Sequence, residues 1–203
     1  MDLRELAPPF LIESSHGPVL RYLYELYGVL DARISEWQRS SGLACPPGCG
    51  QCCARYEPFV LAAEGMAVAA FVAHRSPAGL GVLEAAGEAE PARCVFYDGD
   101  TPLHCTVHPA RPLECRLFGF SASRAKNGRP LFRLCRDMPG PQSGTLDEEA
   151  LRRTYGTLPP LMPDFGARLG ALAGAATRPL REQARAAWRA MLLLGRLRNA
   201  ASP

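Results

Sequence analysis

Eight cysteines, Cys45, Cys49, Cys52, Cys53, Cys94, Cys105, Cys115 and Cys135, are the side chains of this sequence best suited to chemistry, and that chemistry is metal ligation. They crowd into one segment, and four of them fall between positions 45 and 53. An even number of cysteines can also mean disulfides. Those belong mostly to small exported scaffolds, whereas the opening MDLRELAPPF carries Asp2, Arg4 and Glu5 where a signal peptide has a basic start and an apolar run. A soluble cytoplasmic protein with reduced, metal-ligating thiols is therefore expected.

Spacing refines the reading. Two residues separate Cys49 from Cys52, which lets a tight turn aim both sulfurs at one metal, and Gly48 and Gly50 permit such a turn. Cys53 follows Cys52 directly, and because adjacent side chains diverge, the doublet implies two metal sites or a polynuclear one. In CTVHPARPLECR, Pro112 suits the start of a helix and places Cys115 near the helix N-terminus, where the dipole favours a thiolate. Arg111 and Arg116 flank this cysteine as cations that can lower its pKa or donate hydrogen bonds to metal-bound sulfur. They are the candidate cofactor-binding residues.

The run CPPGCGQCC at 45–53, the single Cys94 and Cys105, and RPLECR at 111–116 resemble the YkgJ-type cysteine-cluster family, which is described as zinc- or iron-chelating and often labelled iron–sulfur. The family usually opens CxxCxxCC, whereas here three residues separate Cys45 from Cys49, and His108 stands where an aromatic is usual. Cys135 lies outside the strongest motif and can be read as a ligand or as a buried thiol. His108 and His104 are read as loop residues, since eight cysteines already suffice for two four-coordinate sites.

The expected cofactor is an iron–sulfur cluster of the [4Fe–4S] type, because three closely spaced cysteines with remote single ones suit a cubane better than paired zinc knuckles. Zinc is the alternative, as an all-thiolate set serves either. The expected function is electron transfer or sensing with a protein redox partner; the alternatives are a zinc-stabilised interaction module or a methyltransferase-like enzyme. CPPGCGQC matches the spacing of radical SAM proteins, but the strand–helix repeat of their barrel is missing. No catalytic constellation stands apart from the cysteines, so catalytic residues are unassigned.

The surrounding elements must position these thiols. Leu23, Leu26, Tyr27, Leu30, Ile34 and Trp37 recur at three and four residues and predict an amphipathic helix over 19–39. VLAAEGMAVAAFVAHR reads as a second helix, and residues 76–91 as a loose helix or loop. Residues 94–107 suggest a hairpin around Asp98-Gly99-Asp100, RPLFRLC a short strand, and GTLDEEALRRTYG a helix with Thr145 as N-cap. A last helix spans 179–198, with Arg178, Arg181, Arg185 and Arg189 on its outer side. The expected fold is mainly α, a single domain over 1–203, in which a small irregular and β-hairpin metal-binding core at 41–140 is framed by helices and followed by a helical extension at 141–203.

Composition narrows the partners. The chain has 203 residues, 47% hydrophobic and 21% charged, a globular balance. Its basic residues are 22 arginines and the single Lys126, a bias that looks like GC-rich codon usage, and a net charge of +3 argues against nucleic acid. The apolar run Met191 to Leu194 is far shorter than the roughly 20 residues of a membrane span.

Overall fold

The computed structural model describes residues 2–85, 93–139, 145–173 and 176–201. The fold is mainly α, as expected. After a short 3-10 turn at Leu3–Glu5, helix α1 (Pro9–Ile12) leads into α2 (Gly17–Ser41), which ends on Gly42 in the left-handed conformation. The predicted stripe is buried: Leu20, Leu23, Tyr27 and Leu30 are fully enclosed, at about 1.5–3 kcal/mol for each large apolar side chain.

The cysteine block follows as an irregular loop and then the single-turn helix α3 (Gln51–Arg55). Strand β1 (Phe59–Val60) leads to α4 (Ala62–Arg75), and α5 (Pro77–Ala85) comes next. The remainder of the segment read as loose helix or loop, 86–91, lies outside the described residues. Helix α4 is apolar all round because it is the central element, contacting α2, α5 and the C-terminal helix.

Residues 94–107 form turns held by one antiparallel bridge, Tyr97 to Cys105, and the expected hairpin narrows to that. Asp98 explains the narrowing: its carboxylate accepts the Asp100 amide and its carbonyl accepts the Thr101 hydroxyl, which curls the tip into a turn. Helix α6 (Leu113–Leu117) carries Cys115. Strands β2 (Ser123–Arg124), β3 (Pro130–Arg133) and β4 (Thr145–Asp147) then make a small antiparallel sheet in that order.

Helix α7 (Glu148–Tyr155) begins two residues later than read from the sequence. Asp147, not Thr145, is its N-cap and accepts the Ala150 amide at 2.9 Å, because Thr145 is paired with Arg133 in the sheet. Helix α8 (Met162–Ala173), which the sequence reading did not anticipate, strand β5 (Arg178–Pro179) and α9 (Leu180–Ala201) complete the chain.

Two contacts lock α9 in place. Strand β5 pairs antiparallel with β1, just after the cysteine helix, and the α4–α9 interface closes on small residues. A Cβ on Gly65 would lie 2.5 Å from Cβ of Gln183, so glycine is required for this approach. Arg181 therefore departs from the expected outer face. Only 4% exposed, it pairs with the buried Glu57 at 3.0 Å, and its amide donates to the same carboxylate.

Candidate metal centre

All eight cysteines line one cavity of about 440 Å³ between α2, α3 and α6. Each is a free thiol. The loop carrying Cys45 and Cys49 turns at Pro46-Pro47-Gly48, with Gly48 in the left-handed conformation and the Cys49 amide donating to the Pro46 carbonyl at 3.0 Å. Gly50 packs against His104 so tightly that a Cβ there would lie 2.4 Å from the histidine Cβ. This contact presses the loop of Cys45 and Cys49 onto the loop that carries Cys94 and Cys105.

Helix α3 supplies Cys52 and Cys53, whose sulfurs are 3.9 Å apart. The Cys53 carbonyl accepts the Cys94 amide at 2.9 Å, tying the second loop to this helix. Cys135 follows β3, and Gly119 makes room for it, since a Cβ there would be 3.2 Å from the cysteine Cβ. Among the described residues, no three cysteine, histidine or acidic side chains stand together as a ready-made metal shell. The thiols surround the cavity without converging.

Burial and mutual proximity raise the pKa of several of these thiols. Burial, then the neighbouring Cys49, Cys135 and Cys52, pushes the Cys45 thiol up to about 11. Cys53 is pushed up to about 11, first by its hydrogen bond with Cys105, and Cys94 up to about 12, first by burial. Cys52 is raised first by its hydrogen bond with Cys53, and Cys115 first by burial and then by Cys53, Cys94 and Cys52. Without metal these thiols keep their protons near neutral pH, because buried thiolates this close would repel one another. A bound cation inverts that balance and releases the protons.

Burial and then the neighbouring thiols raise the Cys115 pKa, against the helix-end effect expected to favour a thiolate there. Helix α6 has only five residues, and its first amide is already taken: Leu113 donates to the Glu64 carboxylate at 2.7 Å. Burial outweighs what remains of the dipole.

The two arginines occupy different positions. Arg116 is 3% exposed and lies over the Tyr27 ring, 4.2 Å from its centroid, donating to Asp31 at 2.6 Å and to the carbonyls of Arg111 and Pro109. These contacts hold the 108–116 turn against α2. Arg111 donates to Nε2 of His108, and its own Nε is buried with no partner. Burial, then the Arg116 charge, lowers the Arg111 pKa, while Cys115 and Cys105 act in the opposite sense.

His108 lines the cavity. Its pKa is lowered to about 4, by burial first and then by Arg111 and Arg116, so the ring is neutral and accepts from Arg111. The donor set suits a metal or a metal–sulfur cluster: eight thiols, with an incompletely satisfied cation beside Cys105 and Cys115 to meet the negative charge of bound thiolates.

Glu64 and Asp31 were not singled out from the sequence. Glu64 had a visible signal, as the one acidic residue in the apolar run VLAAEGMAVAAFVAHR. Asp31 had none, since acidic residues on the outer side of an amphipathic helix are ordinary.

Residues 44–136 match a family model described as CxxCxxCC, a putative zinc- or iron-chelating domain. Over this segment, a little under half of its length, the chain is similar to that domain. Metal binding through cysteines, to zinc or iron, follows from the match, and the resemblance to YkgJ-type proteins agrees with it. The matched segment takes in all eight cysteines, including Cys135 beyond the motif that first carried the resemblance. No curated protein and no solved structure shows a match to the chain. No helix among the described residues is long and apolar enough to cross a membrane.

Proposed function

We propose that this chain is an iron–sulfur protein of the [4Fe–4S] type, acting in electron transfer or sensing, with the eight cysteines as its ligand set. The observation that carries the reading is one cavity of about 440 Å³ bordered by all eight thiols, with the half-satisfied Arg111 beside it. A lone zinc ion needs four ligands and little space, whereas a cluster needs volume and cations that offset the charge of its thiolates. When bound, such a cluster supplies one-electron redox chemistry. The chain's part is to hold the ligands, exclude water on the α6 side and present the more open Cys45 edge to a redox partner.

Zinc remains the second reading, favoured by one observation: eight thiols make two complete four-coordinate sets. Anaerobic purification from iron-replete cells decides between them. The iron–sulfur reading expects brown protein with iron and acid-labile sulfide in comparable amounts and a visible absorption that bleaches on reduction. Colourless protein with stoichiometric zinc and no sulfide would reject it and leave the cysteine site standing.

A further inference from the structure

We propose that the chain carries a second binding site, for a small organic monocarboxylate with an apolar body. The site is a cavity of about 430 Å³ bordered by α2, the 157–161 loop and the first part of α8, and it shares no lining residue with the cysteine cavity. The inference goes beyond the proposed function and does not depend on which metal the cysteines hold.

Helix α2 separates the two cavities. Asp31, Ile34, Ser35 and Gln38 border the cysteine cavity, whereas Val29, Arg33, Glu36 and Trp37 border this one. Successive residues of a helix turn by about 100°, which puts the two sets on opposite sides of α2. The second cavity is therefore a site of its own and not an extension of the first.

Its walls are held by contacts within the chain. Trp37, 2% exposed, stands edge-on to the rings of Phe132 and Tyr155, at 5.8 and 5.3 Å. Ala122 anchors the loop: its amide donates to the Pro160 carbonyl and its carbonyl accepts the Met162 amide, each at 3.0 Å. Arg124 donates to Asp164 at 2.6 Å, which ties the start of α8 to β2. With Trp37, the side chains of Leu158, Pro159, Leu161 and Phe165 give the cavity a lining that suits a ring or a branched hydrocarbon.

The polar groups decide what that apolar body must carry. Arg33 and Arg168 border the cavity, and neither has a hydrogen-bond or ion-pair partner among the described residues. A guanidinium binds a carboxylate through two parallel hydrogen bonds. The indole nitrogen of Trp37 is also buried without a partner, an unmet donor in the wall that favours a ligand with acceptor oxygens. Glu36 limits the charge. Asp164 already has Arg124, but Glu36 has no ion-pair partner among the described residues and disfavours a second negative charge at the same rim. Two free cations and one free anion suit a monocarboxylate better than a dicarboxylate or a phosphate ester.

The test uses the full chain and hydrocinnamate, a benzene ring on a short carboxylate arm, as the probe. The sequence has two tryptophans, Trp37 and Trp188, so Trp188→Phe assigns their indole N–H signals in a proton–nitrogen NMR spectrum. Titration should shift the Trp37 signal saturably and leave that of Trp188 in place. Phenylsuccinate, with a second carboxylate, should bind more weakly, and Glu36→Gln should narrow that gap. Arg33→Ala/Arg168→Ala should weaken hydrocinnamate roughly tenfold or more, the range for losing charged hydrogen bonds, while the circular dichroism spectrum is unchanged and the neutral hydrocinnamyl alcohol binds both proteins alike.

A Trp37 signal that does not shift saturably, a shift at Trp188 instead, or equal affinity of wild type and the arginine variant for hydrocinnamate would each overturn the site. Should the double variant fail to fold, Arg168→Gln, a single change at an exposed position of α8, is measured in its place with the same expected loss of affinity.

Discussion

Glu64 accepts the backbone amide of Leu113 at 2.7 Å, so a carboxylate from the centre of α4 caps the first turn of the helix that carries Cys115. The same side chain accepts the Tyr27 hydroxyl at 2.9 Å and the Leu61 amide at 3.0 Å, joining α2, α4 and α6 at one buried point. The metal-binding turn is thereby registered against the helical core.

Removing this carboxylate strands three buried donors. Glu64→Ala should destabilise the chain by about 3 kcal/mol, the order expected when several buried donors lose their partner, and should lower metal occupancy by loosening α6. Thermal melts and metal content of the purified variant check both effects.

The charge of Glu64 has its own signature. Burial raises its pKa above the ordinary 4.5, against the lowering effect of the amides of Leu113 and Leu61. The folded state therefore holds this proton more tightly than the unfolded one. That contribution to stability is present below the ordinary value and is lost as pH rises through the raised one. Glu64→Gln cannot titrate, so the stability of wild type relative to the variant should fall as pH increases across this window. Denaturant midpoints of both proteins at several pH values measure the difference, and a difference that rises with pH would contradict the assigned direction.

Arg116 acts by positioning. Arg116→Ala leaves the carbonyls of Pro109 and Arg111 and the Asp31 carboxylate without their donor, and should cost about 2–3 kcal/mol, discounted because Asp31 is partly exposed. Metal affinity should fall roughly tenfold to a hundredfold, as for other losses of a ligand-supporting residue. Lysine should recover little, since one ammonium cannot serve three acceptors and the Tyr27 face as a planar guanidinium does. Competition with a chromogenic chelator reads the affinity.

Cys115→Ser should lower metal content and melting temperature more than Cys135→Ser. Cys115 belongs to the helix that Glu64 and Arg116 tie to the core, whereas Cys135 follows a short sheet near the surface. Serine presents a harder, much less acidic oxygen and is a poor substitute for a thiolate. A Cys115→Ser protein with full metal and an unchanged melt would count against the site as described.

The pair of Arg181 and Glu57 should matter to folding and not to metal. Both side chains are almost wholly buried, and Arg181→Ala would leave the Glu57 carboxylate without its ion-pair partner, held only by the backbone amide of residue 181, at a cost of about 3–5 kcal/mol. Arg153→Ala, which loses only an exposed pairing with Glu149 one turn away, should stay within about 0.5 kcal/mol of wild type. Chemical denaturation of the two variants gives the comparison.

Local spacing was enough to read metal ligation and most of the helices. The stripe on α2, the apolar run of α4 and the crowding of cysteines around Gly48 and Gly50 all act between residues a few positions apart, where chain geometry alone dictates what can meet. Helix α8 escaped because Pro163, Gly166 and Gly170 interrupt its apolar positions and lower the helical signal. Thr145 was mistaken for a cap because its competing partner, Arg133, lies across a sheet that local pattern does not reveal.

Other features were decided only by tertiary structure, since they join residues far apart in sequence. Arg116 finds Asp31 and Tyr27 on α2, Glu64 finds Leu113, and Arg181 turns inward to Glu57 although its neighbours in sequence resemble an exposed basic face. The protonation of Cys115 belongs here too: a short helix end favours the thiolate locally, but burial among other thiols is a property of the assembled cavity, and at this site desolvation is the larger effect.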